Sequence, residues 1–249
     1  IAAVVQGVLS AGVKALAEPP DVVRLWVHEN LRVYRDRLVD NDDRAWFDGQ
    51  MRGLVPRHFR MAWDDVVTVP TTQLLYGDFM VPGADPRIYS EITDVAKMIS
   101  TVEEYLEDYN ATNTKKMPLV MFVDAVGHVA RISRVIRQPL GNALLLGVGG
   151  SGRQSLSRLA AYIQDFDAFQ IEITRQYAMA EWRDDMKKLL LKGGRDGKSM
   201  VFIFTDSQLK LEAFLEDINN ILNKGEIPSL YAPDELEAIF AELRPLARE

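Results

Sequence analysis

The sequence contains no cysteine, which excludes disulfides and thiolate metal sites from this chain of 249 residues. Histidine is nearly as scarce, with 3 in all. His58 and His128 stand alone and read as hydrogen-bonded structural residues. His28-Glu29-Asn30-Leu31-Arg32 begins like a zinc-protease helix, but the second histidine four positions on is missing, so the metal reading falls. No apolar run approaches the roughly 20 residues that cross a bilayer, and no charged-then-apolar signal opens the chain. Positive charge is in the minority: 29 Lys and Arg against 36 Asp and Glu leave a net charge of −7. With a pI near 5.1, neither nucleic acid nor an anionic membrane is an expected partner, and any phosphate site must be local. Internal repeats and low-complexity segments are also lacking. The opening residue is Ile1, as expected of a piece of something longer. What is present is 47% hydrophobic content, enough to bury a sizeable core in one large domain or two small ones.

The most informative stretch is Ala143-Leu144-Leu145-Leu146 running into Gly147-Val148-Gly149-Gly150-Ser151-Gly152-Arg153-Gln154-Ser155. It reads as a buried strand, a glycine-rich turn and a helix start, with Leu156, Leu159, Ala160 and Ile163 on one face of that helix. Glycines let the backbone curl so that N–H groups point inward, and the helix start adds its positive end, so phosphate is the expected guest. The P-loop pattern ends Gly-Lys-Ser/Thr, where lysine reaches the outer phosphates and the hydroxyl holds magnesium. Here Arg153 and Gln154 stand in those places. Arginine keeps the charge but is planar and forked. Gln154 offers a carbonyl oxygen to magnesium, and Ser155 a hydroxyl one residue late. The competing reading is a strand-to-helix turn that binds nothing.

Up to about Asn110 the periodicity is helical. Val27, Leu31, Tyr34 and Leu38 form one stripe; Ile92, Val95, Ala96, Ile99, Val102 and Leu106 form another. Prolines and glycines between them break the pattern into short helices and loops. The polar segment Asn110 to Lys116 predicts a boundary, giving a helical domain over 1–112 and an α/β domain over 113–249. In the second, Phe122, Ala125, Val126, Val129, Ile132 and Ile136 share a helical face ahead of the glycine-rich loop. Strand and helix then alternate: Phe169, Ile171 and Ile173; Trp182, Met186, Leu189 and Leu190; Met200 to Phe204; and Leu211, Phe214, Leu215, Ile218, Ile221 and Leu222. Such alternation predicts a parallel sheet covered by helices, with ligand at the carboxyl ends of the strands.

Val201-Phe202-Ile203-Phe204-Thr205-Asp206 has the form of the acid-tipped strand that partners a P-loop. In that form an Asp orients magnesium and a Glu orients the attacking water. Register puts Thr205 in place of the first and Asp206 in place of the second, short by about one methylene. A displacement of order 1 Å there can cost ~10²-fold in rate. The alternative is an acid that merely caps the next helix. Both halves are thus present in outline and altered in their chemistry, which reads as nucleotide binding without turnover. Arg131, Arg134 and Arg137 step along one helix and either reach a phosphate or an acidic neighbour or form a solvated flank. Trp26, Trp46, Trp63 and Trp182 read as core or interface anchors, and Asp42-Asp43 and Asp184-Asp185 as exposed acids.

Gly141 to Leu156 resembles the heavy chain of axonemal dynein, at the fourth AAA+ module of its motor ring. So do the helix with Arg131-Ile132-Ser133-Arg134 ending Arg137-Gln138-Pro139, Phe169 to Ile173, Glu181 to Asp185 and Phe214 to Asn220. Upstream, Leu25 to Tyr34 and Tyr76-Gly77-Asp78-Phe79 are similar to the helical lid of the third module. The resemblance covers nearly the whole chain. It implies a lid followed by an incomplete P-loop AAA+ large subdomain, in a microtubule motor of the ciliary or flagellar axoneme. By it, Leu119, Val120 and Phe122 would lie near the adenine of ATP or ADP, and Gly147 to Ser155 would wrap the phosphates. Gln154, Ser155, Thr205 and Asp206 would be the groups available to Mg2+, Asp206 the catalytic acid if there is one, and Arg32 similar in placement to the residue that senses the neighbouring module's nucleotide. Neighbouring modules and other dynein chains are the implied partners, with microtubules contacted outside this segment. Arg153, Gln154 and Thr205 depart from the lysine-threonine pattern of the cytoplasmic relatives. The readings carried forward are a site that binds without cycling, an active ATPase module, and a nucleotide-free mechanical spacer.

Overall fold

The structure is a computed structural model that describes residues 1–11 and 16–246. It forms two compact units, Ile1–Gln164 and Asp165–Glu249.

The first unit runs α1 (Ala2–Leu9), α2 (Pro19–Val33), α3 (Asn41–Phe59), α4 (Trp63–Val66), β1 (Tyr76–Gly77), β2 (Ser90–Glu91), α5 (Val95–Thr112), α6 (Val123–Arg137) and α7 (Arg153–Ile163). α3 and α5 begin where an aspartate satisfies one of the free N–H groups. Asp40 Oδ1 accepts from Asp43 N at 2.8 Å, Asp94 Oδ1 accepts from Lys97 N at 2.9 Å, and Pro19 and Pro20 open α2. Val27 and Leu31 are buried as their stripe predicts, whereas α2 ends at Val33 and leaves Tyr34 exposed. Val102 and Leu106 point into the core from α5, joined by Met98, which the stripe omits. Ala125, Val126 and Val129 of α6 and all four predicted residues of α7 meet them there. Burying each such aliphatic side chain contributes about 1.5–3 kcal/mol. Because α5, α6 and α7 share this core, packing divides the chain after Gln164. The 112/113 boundary read from the polar segment is a different division. β1 and β2 pair antiparallel and are the one ladder among the described residues of this unit.

The expected buried strand over Ala143 to Leu146 is a correction. Leu144 is 85% and Leu146 84% exposed, and no ladder forms there. A strand exists through its neighbours, and among the described residues of this unit none pairs with it.

The second unit runs β3 (Asp167–Phe169), α8 (Met179–Gly194), β4 (Met200–Phe202), α9 (Glu212–Lys224) and α10 (Pro233–Leu246). β3 and β4 are parallel, with Asp167, Ala168 and Phe169 opposite Met200, Val201 and Phe202. The strand read over Phe169 to Ile173 starts earlier and stops at Phe169. Beyond it side chains replace the ladder: Gln208 Nε2 donates to the Ile171 carbonyl at 2.5 Å and Lys210 Nζ to that of Thr174 at 2.6 Å.

Trp182 is the centre of this unit. Its ring stacks on Phe214 at 4.3 Å, and its Nε1 donates to buried Asp217 at 2.8 Å. Asp217 of α9 thus faces inward, while Leu215 and Leu222 of the helix and Leu211 just before it are exposed, a departure from the apolar stripe. Trp182→Phe is expected to destabilise the unit by about 1–3 kcal/mol, because a carboxylate stays buried without its donor. Adding Asp217→Leu should recover most of the loss. Urea unfolding of the single and double variants checks this.

Candidate functional site

The glycine-rich loop enters α7 through residues held in a left-handed conformation. Gly150 has φ 79° and Gly152 φ 76°, a region in which any Cβ is strained. Gly152 caps α7, and its carbonyl accepts from Leu156 N at 2.8 Å. The helix therefore presents its positive end at Arg153. Ser151 N donates to the Val148 carbonyl at 3.3 Å. The Arg153 guanidinium folds back over the loop: Nη1 lies 3.4 Å from the Leu145 carbonyl and Nη2 3.2 Å from that of Val148. Gly147, Val148, Gly149, Gly150, Ser151 and Gln154 are exposed, and Ser155 is half-buried.

In the same unit, Asn110 pins the approach to α6: its Oδ1 accepts from Met117 N at 2.6 Å and its Nδ2 donates to the Met117 carbonyl at 3.1 Å. Leu119 packs on the core, while Val120 and Phe122 stay exposed at the start of α6. That leaves an exposed apolar edge at the start of α6.

Thr205 and Asp206 lie in the second unit. Thr205 closes a tight turn with Gln208, whose Oε1 accepts from Thr205 N at 2.9 Å and Oγ1 at 3.1 Å. The Thr205 hydroxyl also meets Ser207 Oγ at 3.0 Å. A hydroxyl so engaged is a poor magnesium ligand, and exposed Asp206 is the one carboxylate of the strand tip. Gln208 escaped the sequence reading, although Thr-x-x-Gln is the spacing of a capping box. The open groove of about 440 Å3 in this unit is lined by Glu172, Glu181, Asp184 and Asp185 with Lys188 as its one cation. It repels a polyphosphate.

A second polar cluster lies inside the first unit. Arg134 Nε sits 3.2 and 3.0 Å from the two oxygens of fully buried Glu29, and its Nη2 donates to Oε2. Tyr89 Oη and His28 Nδ1 complete the carboxylate's shell at 3.1 Å each. Arg137 pairs with Asp78 at 3.0 Å, and Asp78 also accepts from Gln164 Nε2 at 2.9 Å, at the end of α7. Arg134 and Arg137 thus reach acids rather than forming a solvated flank; Arg131 lies 3.5 Å from Asp36. Burial pushes His28 down to about 4, against the hydrogen bond it donates to Glu29. Burial works to raise Glu29, but hydrogen bonds from His28 and Arg134 prevail and hold it near 2. Arg32 is lowered to about 10, chiefly by burial. Its Nε lies 3.0 Å from Asp36 at an angle too poor for a hydrogen bond, and Nη1 and Nη2 have no hydrogen-bond partner among the described residues.

Comparison with known proteins decides the family. Residues 117–249 match the family model described as "P-loop containing dynein motor region D4", and residues 1–69 match an AAA+ lid domain. The chain belongs to the dynein motor family. It is 51% identical over 246 residues to dynein axonemal heavy chain 1 of Rattus norvegicus, covering 99% of this chain and 5% of that protein. Dynein axonemal heavy chain 6 of Homo sapiens is 45% identical over 247 residues, with 98% and 6% covered. Dynein axonemal heavy chain 2 of Homo sapiens is 42% identical over 249 residues, with 100% and 6% covered. The chain therefore spans a small fraction of these relatives, at the lid and P-loop region of an AAA+ fold. The resemblance read from Gly141 to Leu156 is borne out, and the dynein P-loop region is here carried by a loop with arginine where the P-loop pattern has lysine.

Proposed function

We propose that this chain is a segment of an axonemal dynein motor ring that binds ATP or ADP at its altered P-loop with little or no hydrolysis. The observation that carries the reading is the loop itself: left-handed Gly150 and Gly152 open α7 onto Arg153, in a region that matches the dynein D4 P-loop family. Nucleotide, when bound, supplies phosphates for the loop amides and the helix end; Arg153 supplies the fixed positive charge. Leu119, Val120 and Phe122 form the adenine edge. Gln154 and Ser155 are a thin set of oxygen donors for Mg2+ at the loop. In the second unit the Thr205 hydroxyl is held by Gln208, and Asp206 is one methylene shorter than the acid that positions a water in an active P-loop site.

In this reading residues 1–112 are the lid of the preceding module and 113–249 the large subdomain of the next. By the same resemblance, Arg32 corresponds to the residue that senses the neighbouring module's nucleotide. Its partners are adjoining ring modules and other dynein chains, and its place is the axoneme of a cilium or flagellum, where ATP-driven movement on microtubules is made by other parts of the heavy chain. Calorimetric titration of ATP and ADP into the full chain, with and without magnesium, tests the site. Binding with a Kd of about 1–100 μM, altered less than ~3-fold by magnesium and lost in Arg153→Ala, is the expected result. Magnesium-dependent turnover would make the module an ATPase, and absence of binding would leave a mechanical spacer.

A further inference from the structure

Three polar contacts of the loop are made within the loop itself. The Val148 carbonyl accepts both Ser151 N at 3.3 Å and Arg153 Nη2 at 3.2 Å, and the other arm of the same guanidinium reaches the Leu145 carbonyl at 3.4 Å. The closure is tight: a Cβ added to Gly147 would sit 3.1 Å from Ser151 Oγ and 3.5 Å from Arg153 Cδ. An amide directed at a carbonyl of its own loop does not point at a phosphate, and a guanidinium bridging two carbonyls is not free to pair with one.

We infer that Arg153 is a latch that holds the empty loop closed on itself, so that phosphate enters only after the guanidinium leaves Leu145 and Val148. The inference rests on the nucleotide-binding reading and deepens it into a means of regulating that site. Residue chemistry explains why arginine is needed. A planar fork bridges two carbonyls three residues apart, whereas the lysine ammonium is a single point charge on a flexible stem. The open loop is then a minor state, and both apparent affinity and association rate fall by the fraction of molecules unlatched.

Arg153→Lys separates the latch from the phosphate contact, because it keeps the charge and removes the bridge. Two readouts are made on the full chain and on the variant. Stopped-flow association of a fluorescent ADP analogue is expected to be about fivefold faster in the variant. Hydrogen exchange of the Ser151 amide, which is held by the Val148 carbonyl, is expected to be about fivefold faster without nucleotide. Faster association with unchanged exchange would overturn the latch, since lysine would simply be the better phosphate ligand. Unchanged association with faster exchange would overturn it as a gate. Should neither protein bind the analogue, the functional reading falls while exchange still decides the latch: equal exchange refutes it, faster exchange upholds the closed loop.

Discussion

Glu29→Ala is expected to destabilise the first unit by about 3–5 kcal/mol, the cost of leaving a buried charge without its counter-ion. Glu29 lies on α2, and Arg134 lies 105 residues later on α6. Truncation strands the Arg134 guanidinium, the Tyr89 hydroxyl and the His28 Nδ1–H in a place water does not reach, all of which now bond to one carboxylate. Glu29→Gln keeps an acceptor and loses the charge, so its effect should fall between. Replacing the pair with Leu and Met should recover only the part due to the stranded charge, since the Tyr89 hydroxyl and His28 Nδ1–H still lose their acceptor at about 1–3 kcal/mol each. Hydrogen exchange of α2 and α6 amides is the appropriate measurement, because it reads this unit apart from the one built on Trp182. A loss below about 1 kcal/mol for Glu29→Ala would mean that the site relaxes and admits water.

How much of this was legible depends on the range of the interaction. α7 was read residue by residue, because burial of Leu156, Leu159, Ala160 and Ile163 follows from a local period and a glycine stop. α6 was legible for the same reason. The loop could be seen, and its Arg153 and Gln154 noted as departures, but the turn of Arg153 back onto Leu145 and Val148 leaves no trace in a linear pattern. Strand 143–146 was misread because an apolar run announces burial without naming the neighbours that provide it. α9 was read as a plain apolar stripe because the Trp182 indole that draws Asp217 inward sits 35 residues away. The Glu29 cluster was invisible for that reason too: His28-Glu29 looked like an abandoned metal motif, and Arg134 like one rung of a basic flank. Only Gln208 was missed needlessly, since its cap spacing is local.

Acidification is expected to unfold the first unit through the same cluster. Above pH 6.5 His28 is neutral in both folded and unfolded chain. Because burial lowers its folded value to about 4, the unfolded chain binds the proton first as pH falls from 6.5 toward 4. Stability present above 6.5 is therefore lost through that window, by on the order of 3 kcal/mol. The groups facing the ring allow no other course: Arg32 and Arg134 oppose its charge, Glu29 favours it, Tyr76 and Tyr89 pack against it, and burial outweighs the carboxylate. Glu29 continues the trend, since its folded value near 2 means that stability is lost again as pH falls below 4.5. His28→Gln, which keeps an N–H toward Glu29, should flatten the dependence between pH 6.5 and 4 and leave the lower step in place. Urea midpoints of both proteins at pH 7, 5.5 and 4.5 measure it. Parallel slopes would show that the proton goes elsewhere. A flattened slope would establish His28 as the group whose burial ties this lid-side helix to neutral pH.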